Sequence, residues 1–120
     1  MHLGASHESL ERPSWEQIED AVRQMDGHGR CEVSLVVDDE TYLMLGGGAG
    51  GRFVCEVVGP WGDCALSDPA QPEGPPVPVN DGQPSLYDPR HVIGLAAVLQ
   101  AARHFATKGE PTPSYAWGKH

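Results

Sequence analysis

The stretch LMLGGGAGGRFVCEVV, residues 43–58, places five glycines and one alanine between two segments that have the composition of β-strands. Apolar and β-branched residues predict a strand over 41–45 and another over 52–58. The glycines also contain the letters GxGxxG at Gly46, Gly48 and Gly51, a pattern that binds phosphate in dinucleotide-binding folds and in kinases. The stretch therefore indicates either a nucleotide site or a sharp turn of the backbone.

A nucleotide site is not expected at these glycines, because a strand follows them. In a dinucleotide-binding fold a helix follows, and its N-terminus holds the pyrophosphate. A kinase loop does lie between strands, but kinases also need a lysine downstream and magnesium ligands in distant motifs. This chain has 120 residues and no lysine before Lys108. The glycines therefore predict a hairpin connection with positive φ angles, or a bulge that another backbone segment approaches closely.

Two helices are predicted around these strands. Ser14 and Gln17 have the spacing of a capping box, and apolar residues recur at helical intervals as far as Met25. The second helix is predicted over 90–107, with Asp88 as its N-cap and Pro89 as its first residue.

Further strands are predicted at 32–37, 77–79 and 114–117. Because the connections between the central strands are short, the sheet should be antiparallel. The sequence thus predicts an α+β fold, in which an antiparallel sheet of four or five strands carries two helices packed on one face.

The length fits one small domain. We expect residues 1–12 to be a flexible N-terminal tail and 13–120 to be a single α+β domain. Eight of the eleven prolines fall between Pro60 and Pro89, so segment 59–89 should be irregular. No apolar run has the length of a membrane span, and the start lacks a signal-peptide pattern. Three cysteines without CxxC spacing suit free thiols, and we expect a cytoplasmic protein that does not contact membranes.

The charge of the chain limits its partners. Seventeen acidic and eight basic residues give a net charge of −9. Such a protein repels nucleic acid, because contacts to phosphate need lysine and arginine. It attracts a basic partner, although a high acidic content also serves solubility alone.

Catalytic and metal-binding patterns are absent from the sequence. The six histidines are scattered without HxxxH spacing, and no CxxC pair or GxSxG motif occurs. Cys55 alternates with Phe53 and Val57, so we expect it to be a buried small hydrophobe. The sequence predicts no catalytic residues, no metal and no cofactor, and hence a protein that is not an enzyme.

Five segments in this order resemble a family of bacterial immunity proteins from polymorphic toxin systems, associated with deaminase-type toxins. They are PSWEQIEDAVRQMDG (13–27), LMLGGGAGGRFVCEVV (43–58), VPVNDGQ (77–83), HVIGLAAVLQAARHFA (91–106) and YAW (115–117). The resemblance covers residues 13–117, although 59–76 is longer and richer in proline than the family pattern. It implies a small α+β domain that binds a cognate toxin and blocks its active site, without catalysis or a cofactor.

The predicted function is therefore that of an antitoxin whose partner is a toxin domain and not nucleic acid. The alternative is a small-molecule-binding or regulatory interaction module unrelated to toxins. The oligomeric state stays open. Charge and exposure, rather than the resemblance, select the candidate contacts with the partner: Asp38, Asp39 and Glu40 in a turn, with Trp61 and Asp63 in the irregular segment. The same residues also fit ordinary solvated turns and, for Trp61, a lid that folds back on the sheet.

Overall fold

The computed structural model describes residues 1–5, 8–68, 70–71 and 73–119. Within them the fold is α+β, as predicted, with more strands than the four or five expected. The strands are β1 (His2–Ala5), β2 (Glu8–Glu11), β3 (Glu32–Asp38), β4 (Thr41–Gly47), β5 (Phe53–Val58), β6 (Cys64–Ser67), β7 (Val77–Asn80), β8 (Pro84–Tyr87) and β9 (Ala116–Lys119). The helices are α1 (Trp15–Arg23) and α2 (Leu95–Lys108).

In the described residues one sheet has seven strands in the order β2-β1-β3-β4-β5-β6-β9, and every neighbouring pair is antiparallel. Strands β7 and β8 form a separate hairpin. Segment 1–12, predicted to be a flexible tail, contributes β1 and β2. In β1, Leu3 lies opposite Leu35 of β3 and is buried. One buried apolar residue in a four-residue strand is too weak a pattern to predict that strand.

Both helices pack on the same face of the seven-stranded sheet, as predicted. Ile18 and Val22 of α1 and Val98 and Phe105 of α2 belong to one buried cluster with the inward-facing residues of the central strands. The capping box of α1 is present, because the Ser14 hydroxyl accepts a hydrogen bond from the Gln17 N–H and the Gln17 side chain accepts one from the Ser14 N–H.

The second helix begins later than predicted. Asp88 and Pro89 open a short 3₁₀ turn, Pro89–His91, and α2 starts only at Leu95. The two are separated by Ile93, whose N–H and C=O both form hydrogen bonds with the backbone of Phe53, at N···O distances of 2.8 and 2.9 Å. That pairing requires extended backbone, so a continuous helix from Pro89 is impossible.

The glycine loop has positive φ angles and is also approached closely by other segments, two features that the sequence predicted as alternatives. Gly47 and Gly48 have φ angles of +100° and +118°. A Cβ atom on Gly48 would lie 2.6 Å from the carbonyl carbon and oxygen of Met25, and one on Gly46 would lie 2.4 Å from Cβ of Asp81. The β7–β8 hairpin therefore rests on this loop at Gly46, and the loop after α1 rests on it at Gly48; at these two positions no side chain has room.

The β7–β8 hairpin covers part of the sheet face opposite the helices. Val79 is buried there in a small cluster with Val54 and Val92, and the Asn80 side chain donates a 2.9 Å hydrogen bond to the Gly27 carbonyl. Segment 59–89 therefore contains the strand predicted at 77–79, as β7, and more regular structure than expected, namely β6 and β8.

Candidate interaction surface

The acidic turn between β3 and β4 is exposed at Asp38, Asp39 and Glu40. One Asp38 carboxylate oxygen accepts a hydrogen bond of 2.8 Å from the Glu40 backbone N–H. This bond closes the turn locally. Asp38 thus has a structural role, whereas no hydrogen bond or ion pair is seen for the carboxylates of Asp39 and Glu40 in the described part of the chain.

Trp61 lies in a tight turn between β5 and β6, in which the Gly62 N–H donates to the Gly59 carbonyl at 2.9 Å. Its ring packs against Gly59, where a Cβ atom would come within 2.3 Å of the ring. Trp61 nevertheless remains 36% exposed, and Asp63 beside it is exposed as well. This turn therefore presents an aromatic ring next to a carboxylate.

Strand register places the two turns at the same end of the sheet. Tyr42 of β4 lies opposite Val58 of β5, just before the Trp61 turn, and Asp38 of β3 pairs with Thr41. Residues that are more than twenty positions apart in the sequence are thus brought to adjacent hairpin ends. We call this surface the acidic end, and it comprises Asp38, Asp39, Glu40, Trp61 and Asp63.

A groove of about 340 Å³ lies on the sheet face opposite the helices, beside the part that the β7–β8 hairpin covers. Gly4 keeps the groove open, because a Cβ atom at that position would project next to Ser34 and lie 2.8 Å from its hydroxyl oxygen. Met44 in its floor is 39% exposed. The groove is lined by Gly4, Glu32, Ser34, Val36, Tyr42 and Met44.

Sequence reasoning did not select these groove residues. They occupy the alternate positions of strands whose other positions, such as Leu35 and Leu43, form the core. Alternation could have identified them as facing the second side of the sheet. It could not show which part of that side is covered, because this depends on where the distant β7–β8 hairpin docks.

Carboxylates adjoin the groove at its Met44 end. Glu32 lines it directly, and a smaller depression that shares Met44 is lined by Glu56 and Asp81. The Tyr87 hydroxyl donates a hydrogen bond to the Asp81 carboxylate. Burial of Tyr87, together with this bond, raises the pKa of the tyrosine.

The described residues contain no group of three or more histidine, cysteine or acidic side chains that could hold a metal ion. Within the same part of the chain, no helix is long and apolar enough to cross a membrane. Cys55 is 1% exposed, which confirms its predicted burial, and that burial raises the pKa of its thiol. All three cysteines are free.

The fold and this surface belong to a small acidic α+β domain, and comparison with known families identifies its class as that of the immunity proteins. The family described as Immunity protein Imm1 matches residues 6–117. Because the match covers nearly the whole chain, the protein belongs to the Imm1 family. No curated protein matches the chain.

Proposed function

We propose that this protein neutralises a cognate secreted toxin by binding its toxin domain and blocking the active site. The observation that carries the proposal is membership of the Imm1 immunity family over residues 6–117. The acidic end supports it, because four carboxylates and a partly exposed tryptophan are grouped on adjacent turns. Tight interfaces combine aromatic anchors with charge complementarity in this way.

We propose that the toxin is a deaminase, as the family resemblance of the sequence implies, and the charge of the protein fits a toxin that acts on nucleic acid or nucleotides. An enzyme that binds nucleic acid needs a basic substrate groove to contact phosphates. A domain with a net charge of −9 is attracted to such a groove and can compete with the substrate for it. Inhibition would be stoichiometric, in the cytoplasm of the producing cell, and would need no catalytic step and no cofactor.

Co-expression with the toxin domain encoded by the neighbouring gene tests the proposal. We expect cells that make both proteins to survive and cells that make the toxin alone to die. Death of cells that contain abundant soluble immunity protein would contradict the proposed function. The purified proteins should also form a stable complex whose association rate falls as salt increases.

The acidic end is tested by reversing two of its charges. We expect Asp39→Lys combined with Glu40→Lys to slow association with the toxin domain at least about tenfold at low salt. The matched control reverses Glu16 in α1 and Glu73 in the irregular segment, so both variants have the same net charge. Equal association rates for the two variants would show that overall charge, and not this surface, drives binding.

A further inference from the structure

We infer that the groove is a second contact site for the toxin domain, and that it receives an extended segment with an apolar side chain flanked by basic residues. This inference rests on the proposed function, since it assigns the groove to the same partner. It concerns a sheet face that the acidic end does not include. Neither charge nor a sequence motif had marked the residues of the groove as candidate contacts with the toxin.

The floor of the groove is apolar although it lies on the outside of the protein. It is lined by Val36, Tyr42 and Met44. Met44 is 39% exposed although it lies in the middle of a central strand. The neighbouring part of the same face is buried under the β7–β8 hairpin through Val79. An apolar depression that continues a covered face is suited to burying a further apolar side chain.

Both ends of the groove are acidic. At the Tyr42 end it approaches the acidic turn, because Asp38 pairs with Thr41 in the register of β3 and β4. At the other end Glu32 lines it, and Asp81 lines the adjoining depression. Neither depression is lined by lysine or arginine in the described part of the chain. The occupant should therefore present positive charge at both ends.

The size of the groove matches a short extended segment. Along β3, four residue steps separate Glu32 from Val36, both of which line the groove, and this corresponds to about 13 Å along a strand. A volume of about 340 Å³ accommodates one or two large side chains rather than a helix. We therefore expect one apolar side chain above Met44 and a lysine or arginine on each side of it in the bound segment.

A second copy of this protein is a poorer occupant. Pairing two identical grooves about a two-fold axis would bring the carboxylates of both copies close together. The two chains, each with a net charge of −9, would also repel each other as a whole. Like charges placed opposite each other disfavour such a contact. A basic segment of a toxin would instead place positive charges next to these carboxylates.

Binding of the purified toxin domain encoded by the neighbouring gene to Met44→Lys tests the inference. We expect affinity to fall at least about tenfold, because a lysine there removes apolar contact and repels basic residues. Met44→Leu should bind as the wild type does. Leu86→Lys is the matched control, since Leu86 is 70% exposed on the hairpin away from the groove. Circular dichroism and thermal unfolding verify that each variant is folded.

A second pair of variants tests the charge requirement without altering apolar surface. Glu32→Gln should weaken binding to the toxin domain and reduce the dependence of binding on salt. Glu16→Gln should change neither, because Glu16 lies on α1, which packs on the sheet face opposite the groove. If the wild type binds the toxin domain but Met44→Lys and Glu32→Gln bind equally well, the inference is wrong and the proposed function stands. If the wild type does not bind, both are wrong. Self-association abolished by Met44→Lys would also overturn the inference, because the occupant would then be a second copy.

Discussion

Replacing Gly48 by alanine should destabilise the protein far more than replacing Gly50, although both glycines lie in the same loop and both have positive φ angles. Gly48 has φ +118° and ψ −30°, and its missing side chain faces the backbone of Met25. Gly50 has φ +64° and ψ +17°, and no atom lies within 4 Å of the position of a Cβ atom. Gly50→Ala therefore adds backbone strain alone, whereas Gly48→Ala adds both backbone strain and a close approach to Met25.

The expected magnitudes follow from the geometry. For Gly50→Ala the left-handed conformation costs about 1 kcal/mol. For Gly48→Ala the backbone region alone costs about 1–3 kcal/mol. A Cβ atom 2.6 Å from the Met25 carbonyl group also has to push the loop after α1 away from the sheet.

That displacement disturbs two further hydrogen bonds. They are the 2.9 Å bond from the Asn80 side chain to the Gly27 carbonyl and the 2.9 Å bond from the Gly47 N–H to the Cys31 carbonyl. Each contributes roughly 1 kcal/mol. We therefore expect the free energy of unfolding to fall by about 3–5 kcal/mol in Gly48→Ala.

Urea unfolding monitored by tryptophan fluorescence measures both variants against the wild type. The difference between them, about 2–4 kcal/mol, corresponds to a melting temperature lower by about 10 °C for Gly48→Ala in a domain of this size. Gly46→Ala adds a third comparison, because a Cβ atom there meets Asp81 without a positive φ. Equal losses for Gly48→Ala and Gly50→Ala would refute the reasoning, since close approach would then contribute nothing.

Two other predictions concern the hairpin and the cysteines. Tyr87→Phe removes the hydrogen bond to Asp81 and should lower the free energy of unfolding by about 1 kcal/mol at neutral pH. The folded state raises the pKa of Tyr87, so the neutral Tyr87 side chain stabilises the fold fully below pH about 10, and this stabilisation is lost as the pH rises through the folded pKa. The free energies of unfolding of the wild type and of Tyr87→Phe should therefore converge as the pH is raised. A difference that stays constant with pH would contradict this prediction. In native protein an alkylating reagent should modify Cys31 and Cys64 but not the buried Cys55, and all three after urea unfolding; rapid native labelling of Cys55, detected by mass spectrometry, would be inconsistent with the packing described.

The local elements were the most predictable part of the fold. The α1 capping box, formed by Ser14 and Gln17, involves only neighbours in sequence, so its residues are sufficient to identify it. The apolar and β-branched composition of 32–37, 41–45 and 52–58 likewise predicted the three central strands. The start of α2 was misplaced because Asp88 and Pro89 do cap a turn, but the partner that ends that turn is Phe53, far away in the chain.

The candidate surface was predictable only in pieces. The composition of the acidic turn suggested exposure, whereas Trp61 suited either a lid on the sheet or a contact with a partner. The contact of both turns with a toxin remains a prediction. Their proximity follows from the register between Tyr42 and Val58, which no local pattern contains. The groove was missed because residues such as Met44 have the same alternation whether or not a hairpin covers them.

The sequence by itself determined the α+β class, the two helices, the central antiparallel strands and the need for glycine between them, because these depend on periodicity, capping and allowed backbone angles over short distances. Only the tertiary structure decided that β1 and β2 join the sheet, that Met25 and Asp81 pack against the glycines, and that the groove stays open beside the β7–β8 hairpin. These features depend on contacts between distant segments, and such contacts are set by how the whole chain packs.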